Sequence, residues 1–292
     1  MVGKDELTFF GYHVVCLIDV LGQKQKLEKW NTIPEGGKPT PEFIQAIKRT
    51  VGTVLGYREH YLAFFEQVGS ETLPKTFDAL PKDWVEKYRR AKNCRVHVER
   101  HSDSFVFSSQ ITNPQGDAST DAAYRILCAC CMAMVISLAA KIPVRGAVTV
   151  GMGAVLEDGG FYGPALAEAH FIESEVCGYP RIVVSPTVLE FLISGRAYSQ
   201  DLEVEKIMRL FAKISRPFIC EDTDGRFIVD YLGNGFRQVD SSITELVGKA
   251  YDFARSEEIS FGANGDQKLA DRYRLLRQYV ESRLPLWGVP IA

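Results

Sequence analysis

The sequence predicts an α+β sandwich: a mixed β-sheet with helices packed on one face, followed by a C-terminal hairpin and further helices. Three observations lead there. Val14-Val15-Cys16-Leu17-Ile18 is an unbroken apolar run that ends in Asp19, with Gly22 three positions on. Such a run reads as a strand buried on both faces. Residues 96–107 read as two short strands with a tight turn at Ser102-Asp103. The rest alternates helical and strand spacing, giving the order strand, helix, hairpin, helix, strand, helix, strand, helix.

Bulk properties narrow the function classes. At 292 residues the chain can bury a full core as one large domain or two small ones. Its apolar fraction of 46% and charged fraction of 24% are those of an ordinary globular protein. A net charge of -3 offers no global attraction to nucleic acid or an anionic membrane surface. No apolar run approaches the roughly 20 residues of a bilayer span, and the N-terminus lacks the order of a secretory signal. Of seven cysteines, Cys128, Cys130 and Cys131 cluster in an apolar helical segment, and no Cys-x-x-Cys pair suits zinc. Buried thiols in a reducing cytosol, hence a cytoplasmic location, are expected.

Taken in order, residues 12–22 are the first strand and its glycine turn. Residues 23–40 are charged, then rich in Gly and Pro, and suit a loop. Phe43, Ile47, Val51, Val54, Leu55 and Tyr61 fall at helical spacing over 41–67. An exposed connection over 69–82 precedes a short helix from Trp84 to Ala91 and the hairpin at 95–108. Ser119-Thr120-Asp121 can cap a helix running to about Lys141, which Pro143 stops. Residues 144–151 form a strand and 157–160 a turn. Phe161-Tyr162-Gly163-Pro164 opens a helix to about Cys177, with proline in a favoured first-turn position. Residues 179–185 are a short buried strand, and Pro186 starts a helix to about Ser194. A helix-like acidic patch at 203–211 leads to a hairpin that turns at Asp222-Thr223-Asp224-Gly225. Amphipathic helices at about 242–255 and 266–283 end the chain.

Asp19, at the end of a buried strand, is costly to bury without a partner or a cation. The reading adopted is that Asp19 and Asp103 meet at the strand ends and hold metal ions. Taken alone, Asp19 also fits a helix cap or turn former, and Asp103 a plain hairpin turn.

Four features stand in fixed order: Ile18-Asp19-Val20-Leu21-Gly22, Ser102-Asp103-Ser104, the strand from Arg145 to Gly151, and the helix start Gly163-Pro164-Ala165-Leu166-Ala167-Glu168-Ala169. This order resembles the catalytic core of the class III nucleotidyl cyclases, whose fold is a ferredoxin-like sandwich. The Asp-Val-Leu-Gly form, the Gly-Pro-Ala-Leu start, Tyr179-Pro180-Arg181-Ile182-Val183-Val184 and the Phe227–Leu232 strand resemble, more narrowly, the pyrimidine cyclases of bacterial anti-phage Pycsar systems. The resemblance implies a catalytic domain over 8–234 and a C-terminal helical extension, 235–292, packed on it. It implies conversion of UTP to 3′,5′-cyclic UMP and pyrophosphate, with CTP as the alternative substrate, in a homodimer with composite sites. A separate cyclic-nucleotide-responsive effector is implied as well.

The chemistry fits these residue types. Two divalent cations activate a ribose 3′ oxygen and neutralise the leaving pyrophosphate. Hard oxygen ligands suit Mn²⁺ or Mg²⁺, so Asp19, Asp103 and the Val20 carbonyl are the expected ligands. Amides of Leu21, Gly22 and Gln23 can line the phosphates; Lys24 adds a point charge or is simply solvated. Arg145 can clamp phosphate bidentately or stand as a strand-end arginine. The chain departs from purine cyclases in having Glu99 and Gly160 where a lysine and an aspartate read the base. Glu99 and His101, on one strand face, are therefore substrate-binding candidates, or else a solvated hairpin edge. Ala167 and Phe171 occupy the positions of the transition-state asparagine and arginine, which leaves a degenerate nucleotide-binding regulatory domain as a rival. A two-metal phosphohydrolase is a second, without its usual His-Asp cluster.

Overall fold

A computed structural model describes residues 7–23, 27–28, 38–70, 77–91, 95–112, 119–157, 159–194 and 199–291. Most of the expected loop at 23–40 falls outside them, as do residues 71–76 of the connection expected to be exposed over 69–82; in the described part of that connection Phe77 is buried in the core. Strand β1 (Leu7–Val20) is the longest and lies inside the sheet. Helix α1 (Pro41–Ser70) and the short α2 (Lys82–Ala91) follow, then the hairpin β2 (Val96–His101) and β3 (Ser104–Gln110). Helix α3 (Asp121–Ala139) leads to β4 (Val144–Leu156), which pairs with the two-residue β5 (Phe161–Tyr162). Next come α4 (Pro164–Phe171), a π-helical turn (Ile172–Val176), β6 (Ile182–Val184), α5 (Pro186–Ile193) and α6 (Leu202–Ser215). The C-terminal hairpin is β7 (Ile219–Glu221) and β8 (Phe227–Val229), and the chain ends in α7 (Asn234–Val239), α8 (Thr244–Ala263) and α9 (Gln267–Trp287).

The strands make one mixed sheet in the order β2-β3-β1-β4-β6-β8-β7. The β4–β6 pair is parallel and the other ladders are antiparallel. The α+β class is therefore observed. Its first half follows a β-α-β-β-α-β path in which β1 sits between β3 and β4.

Strand alternation divides the sheet into two unlike faces. Val14, Cys16 and Ile18 lie on the face covered by α1 and α3. There Tyr61 stacks on Phe107 with centroids 3.8 Å apart, and Cys16 Sγ meets Cys130 Sγ at 3.4 Å. The opposite face carries His13, Val15, Leu17 and Asp19. Helix α4 packs on this second face, where Thr149 donates to the Ala165 carbonyl at 2.8 Å. Helices on one face only is thus corrected. Small residues on both sides, Gly151 against Ala165, let α4 lie close to the strand.

Two local expectations also change. Thr120 is the N-cap residue of α3, but its hydroxyl is spent on the Met208 carbonyl and makes no side-chain cap bond. Residues 161–162 pair with β4 before the α4 turn, because Gly153 leaves room for the Phe161 ring; a Cβ there would meet that ring at 2.2 Å. Helix α3 is long and apolar enough to cross a membrane, yet 89% of its apolar window is buried, so it is a core helix here. Cys16, Cys128, Cys130, Cys131 and Cys177 are buried free thiols.

The C-terminal helices share this core. Leu276, Val280 and Leu284 of α9 are fully buried with β1 and α3 residues in one apolar cluster. Trp287 donates from Nε1 to the Leu232 carbonyl at 2.8 Å. Tyr279 donates to Asp230 at 2.9 Å, and Arg283 donates to the same Asp230 oxygen at 2.9 Å. Leu284→Ala should accordingly lower unfolding free energy by about 2–5 kcal/mol in urea titrations; a loss under about 1 kcal/mol would show that α9 only rests on the surface.

Candidate active site

Antiparallel pairing brings the sequence-distant acids together. Register sets Asp19 opposite Ser104 on one side and opposite Arg145 on the other. The Val20 amide donates to the Asp103 carbonyl at 3.1 Å, so the hairpin turn is fastened to the end of β1. Ser102 makes that turn with φ 55°, and Gly22 turns the chain after β1 with φ 80°, a left-handed conformation that glycine takes without strain. Asp19, Asp103 and Arg145 therefore stand together, as expected from the sequence.

The structure adds one residue that the sequence reading missed. Glu173, buried on the π-helical turn after α4, pairs with Arg145, whose Nε lies 3.7 Å from Asp19 Oδ2. Single π turns inside helices recur at functional sites, but the helical spacing of 164–177 gives no sign of one. The local account is three carboxylates and one guanidinium. Burial, then the charges of Glu173 and Asp103, push the Asp19 carboxyl up to about 6, and Arg145 only partly offsets this.

Other predicted residues divide. The Leu21 amide donates to the Pro143 carbonyl at 2.9 Å, so it is not free for a phosphate as expected; the competing β1–β4 junction takes it. Gln23 is buried, with its Oε1 unpartnered among the described residues. Lys24 lies outside the described residues. Glu99 and His101 share the face of Asp19, and His101 Nε2 pairs with Glu99 Oε1 at 2.6 Å. The other Glu99 oxygen accepts from the Phe161 amide at 2.7 Å, so this acid also ties β2 to β5. Ala167 and Phe171 lie on an exposed side of α4, one turn apart, with no polar atom to offer. Glu168 is held by Ser185.

Among the described residues no three His, Cys, Asp or Glu side chains converge as a ready-made metal cage. What the site offers is a pair of hard carboxylates in uncompensated negative charge. That suits a divalent cation that keeps waters and gains further oxygens from a substrate. Comparison with protein-family models, curated proteins and solved structures found no match for this chain.

The raised Asp19 carboxyl has a thermodynamic consequence. Below the unfolded value of 3.8 both states are protonated and no cost arises. Between 3.8 and about 6 the unfolded chain ionises while the folded carboxyl keeps its proton, so stability falls across that window and levels off above it. The full cost at neutral pH is about 3 kcal/mol at most. Asp19→Asn should therefore raise the melting temperature in chelator at pH 7.5 and make no difference at pH 3.5; an unchanged or lower value at pH 7.5 would contradict the charge account.

Proposed function

We propose that this chain is a metal-dependent nucleotidyl cyclase acting on a pyrimidine nucleoside triphosphate, with UTP first and CTP as the alternative. The observation that carries the reading is the convergence of Asp19 and Asp103 at the β1 end beside Arg145 and Glu173. The strand order β4-β1-β3-β2, with helices between, is that of a ferredoxin-like sandwich and supports the family likeness of the motifs.

In this reading Asp19, Asp103 and the Val20 carbonyl hold Mn²⁺ or Mg²⁺. When bound, the ions lower the barrier to 3′-oxygen attack on the α-phosphorus and neutralise the departing pyrophosphate. The chain's own residues do the positioning. Gly22 and Gln23 present amides where phosphate oxygens arrive. Arg145 is parked between Glu173 and Asp19 until a phosphate competes for its guanidinium. Glu173 keeps that guanidinium aimed along the sheet end instead of into solvent. The acidic cluster also sets a pH dependence, because Asp19 must be ionised to hold a cation. The reading includes a homodimer with composite sites, a cytoplasmic setting and an anti-phage signalling role through a separate effector.

One observation favours a second reading. Exposed Ala167 and Phe171 give α4 no polar group for the developing phosphate charge. A domain that binds nucleotide and regulates a partner without turnover is the alternative.

Incubation of the purified chain with each of the four NTPs and Mn²⁺, with products resolved by chromatography and mass, decides between them. Cyclic UMP with pyrophosphate is the expected product, and Asp19→Ala or Asp103→Ala should cut its formation at least about a hundredfold while the fold is retained. Binding without any cyclic product would move the chain to the regulatory reading. Light scattering at assay concentration should give the mass of a dimer, and full activity in a strict monomer would remove the composite site.

A further inference from the structure

A cavity of about 340 Å³ lies on the same sheet face as Asp19 but at its other end, lined by His13, Arg95, His97, Ser108, Gln110 and Val155. His13 stands six residues before Asp19 on β1, about 20 Å along the strand. That exceeds the distance between the base and the α-phosphate of one nucleotide, so one chain's Asp19 and its own cavity cannot share a nucleotide.

The lining has a definite polarity. His13 is almost fully buried, and its Nδ1 lies 3.0 Å from the Gly11 carbonyl, which fixes the proton there and leaves Nε2 an acceptor. Burial, and secondarily the neighbouring His97, holds the imidazole below its ordinary pKa and so neutral. The Phe161 ring meets the His13 ring edge-on at 5.0 Å and restrains its tilt. Ser108 Oγ is buried and has no hydrogen-bond partner among the described residues. A buried hydroxyl left in that state costs free energy that a ligand would recover. The Gln110 carboxamide can donate from the same floor, because the register places Gln110 opposite His13. His97 is pinned through Nε2 to the Gly159 carbonyl at 2.8 Å.

We infer that this cavity binds a flat, uncharged heterocycle whose edge presents one N–H donor between two carbonyl acceptors, as a uracil-type base does. The N–H donates to His13 Nε2, and Ser108 Oγ–H and the Gln110 amide donate to the two flanking carbonyls. Val155 contacts the ring, and exposed Arg95 stands at the rim, where a sugar or phosphate would emerge. Cytosine is disfavoured, because its ring nitrogen would set a lone pair against that of His13 and its amino group a donor against a donor. The inference deepens the nucleotide reading above and rests on it only for the origin of the base. That base belongs either to a triphosphate gripped by Asp19 of a second copy or to a free nucleoside at a separate site.

The test uses the whole chain in EDTA, titrated calorimetrically with uridine and, separately, cytidine, so that neither metal nor phosphate contributes. Uridine binding at least about tenfold tighter than cytidine is expected, with Ser108→Ala weakening uridine by about tenfold. Gln110→Leu, at a less buried position, serves as a second variant should Ser108→Ala melt early. Absent uridine binding by folded protein, or equal affinity for both nucleosides, would overturn the inference even where Mn²⁺-dependent turnover of UTP is intact. Conversely, uridine binding without turnover would leave the cavity standing and remove the cyclase reading. The same variants separate the two origins. A loss of discrimination between UTP and CTP in kcat/KM places the base in a composite site. Unchanged UTP kinetics with lost uridine binding places it in a separate one.

Discussion

The arrangement depends on the central position of β1. Its apolar residues from Val14 to Ile18 are fully buried, hydrogen-bonded to β3 on one side and β4 on the other. A strand so enclosed has one register, because a slip by a single residue would swap its faces, setting Asp19 against the apolar α1/α3 side and displacing Cys16 and Ile18 from their partners there. That register fixes Asp19 beside Arg145, and the Val20 amide then draws the Asp103 turn against the strand end. Nothing in the acidic cluster is placed by the acids themselves, which repel one another. Packing on the other face holds them there.

This division of labour explains the unlike faces of the sheet. The α1/α3 side carries the stacked Tyr61–Phe107 and Tyr57–Phe105 pairs and supplies the cohesion. The α4 side tolerates histidines, carboxylates and, among the described residues, a buried hydroxyl without a partner, all of which cost free energy. Cohesion on one face thus offsets the cost of the polar groups on the other. Asp230, receiving bonds from Tyr279 and Arg283, binds the C-terminal helices to the same body and keeps the β8 end of the sheet fixed.

Much of this was legible from the residues. The apolar run ending in Asp19 announced β1, the Ser102-Asp103 turn announced the hairpin, and Pro164 marked the start of α4, because each signal is local. What escaped is set by tertiary contact. Glu173 meets Arg145 from a last helical turn that widens to π geometry, which no spacing rule reveals. Thr120 reads as a cap but meets Met208 across the core, and the Leu21 amide is claimed by Pro143. Residues 161–162 read as a helix entrance, yet the gap at Gly153 lets them pair as a strand first. The cavity at the far end was also silent in sequence, since His13, His97 and Ser108 come from three strands and share a face only through register.

The central claim is that two carboxylates, one at the end of β1 and one in the β2–β3 turn, form one cation site. Calorimetric titration of Mn²⁺ into the apo chain, beside Asp103→Asn, tests it most directly. Binding that weakens as pH falls through about 6, and that is lost in the variant, is the predicted result. Equal Mn²⁺ affinity in both proteins, or none in either at pH 7.5 with UTP present, would contradict it.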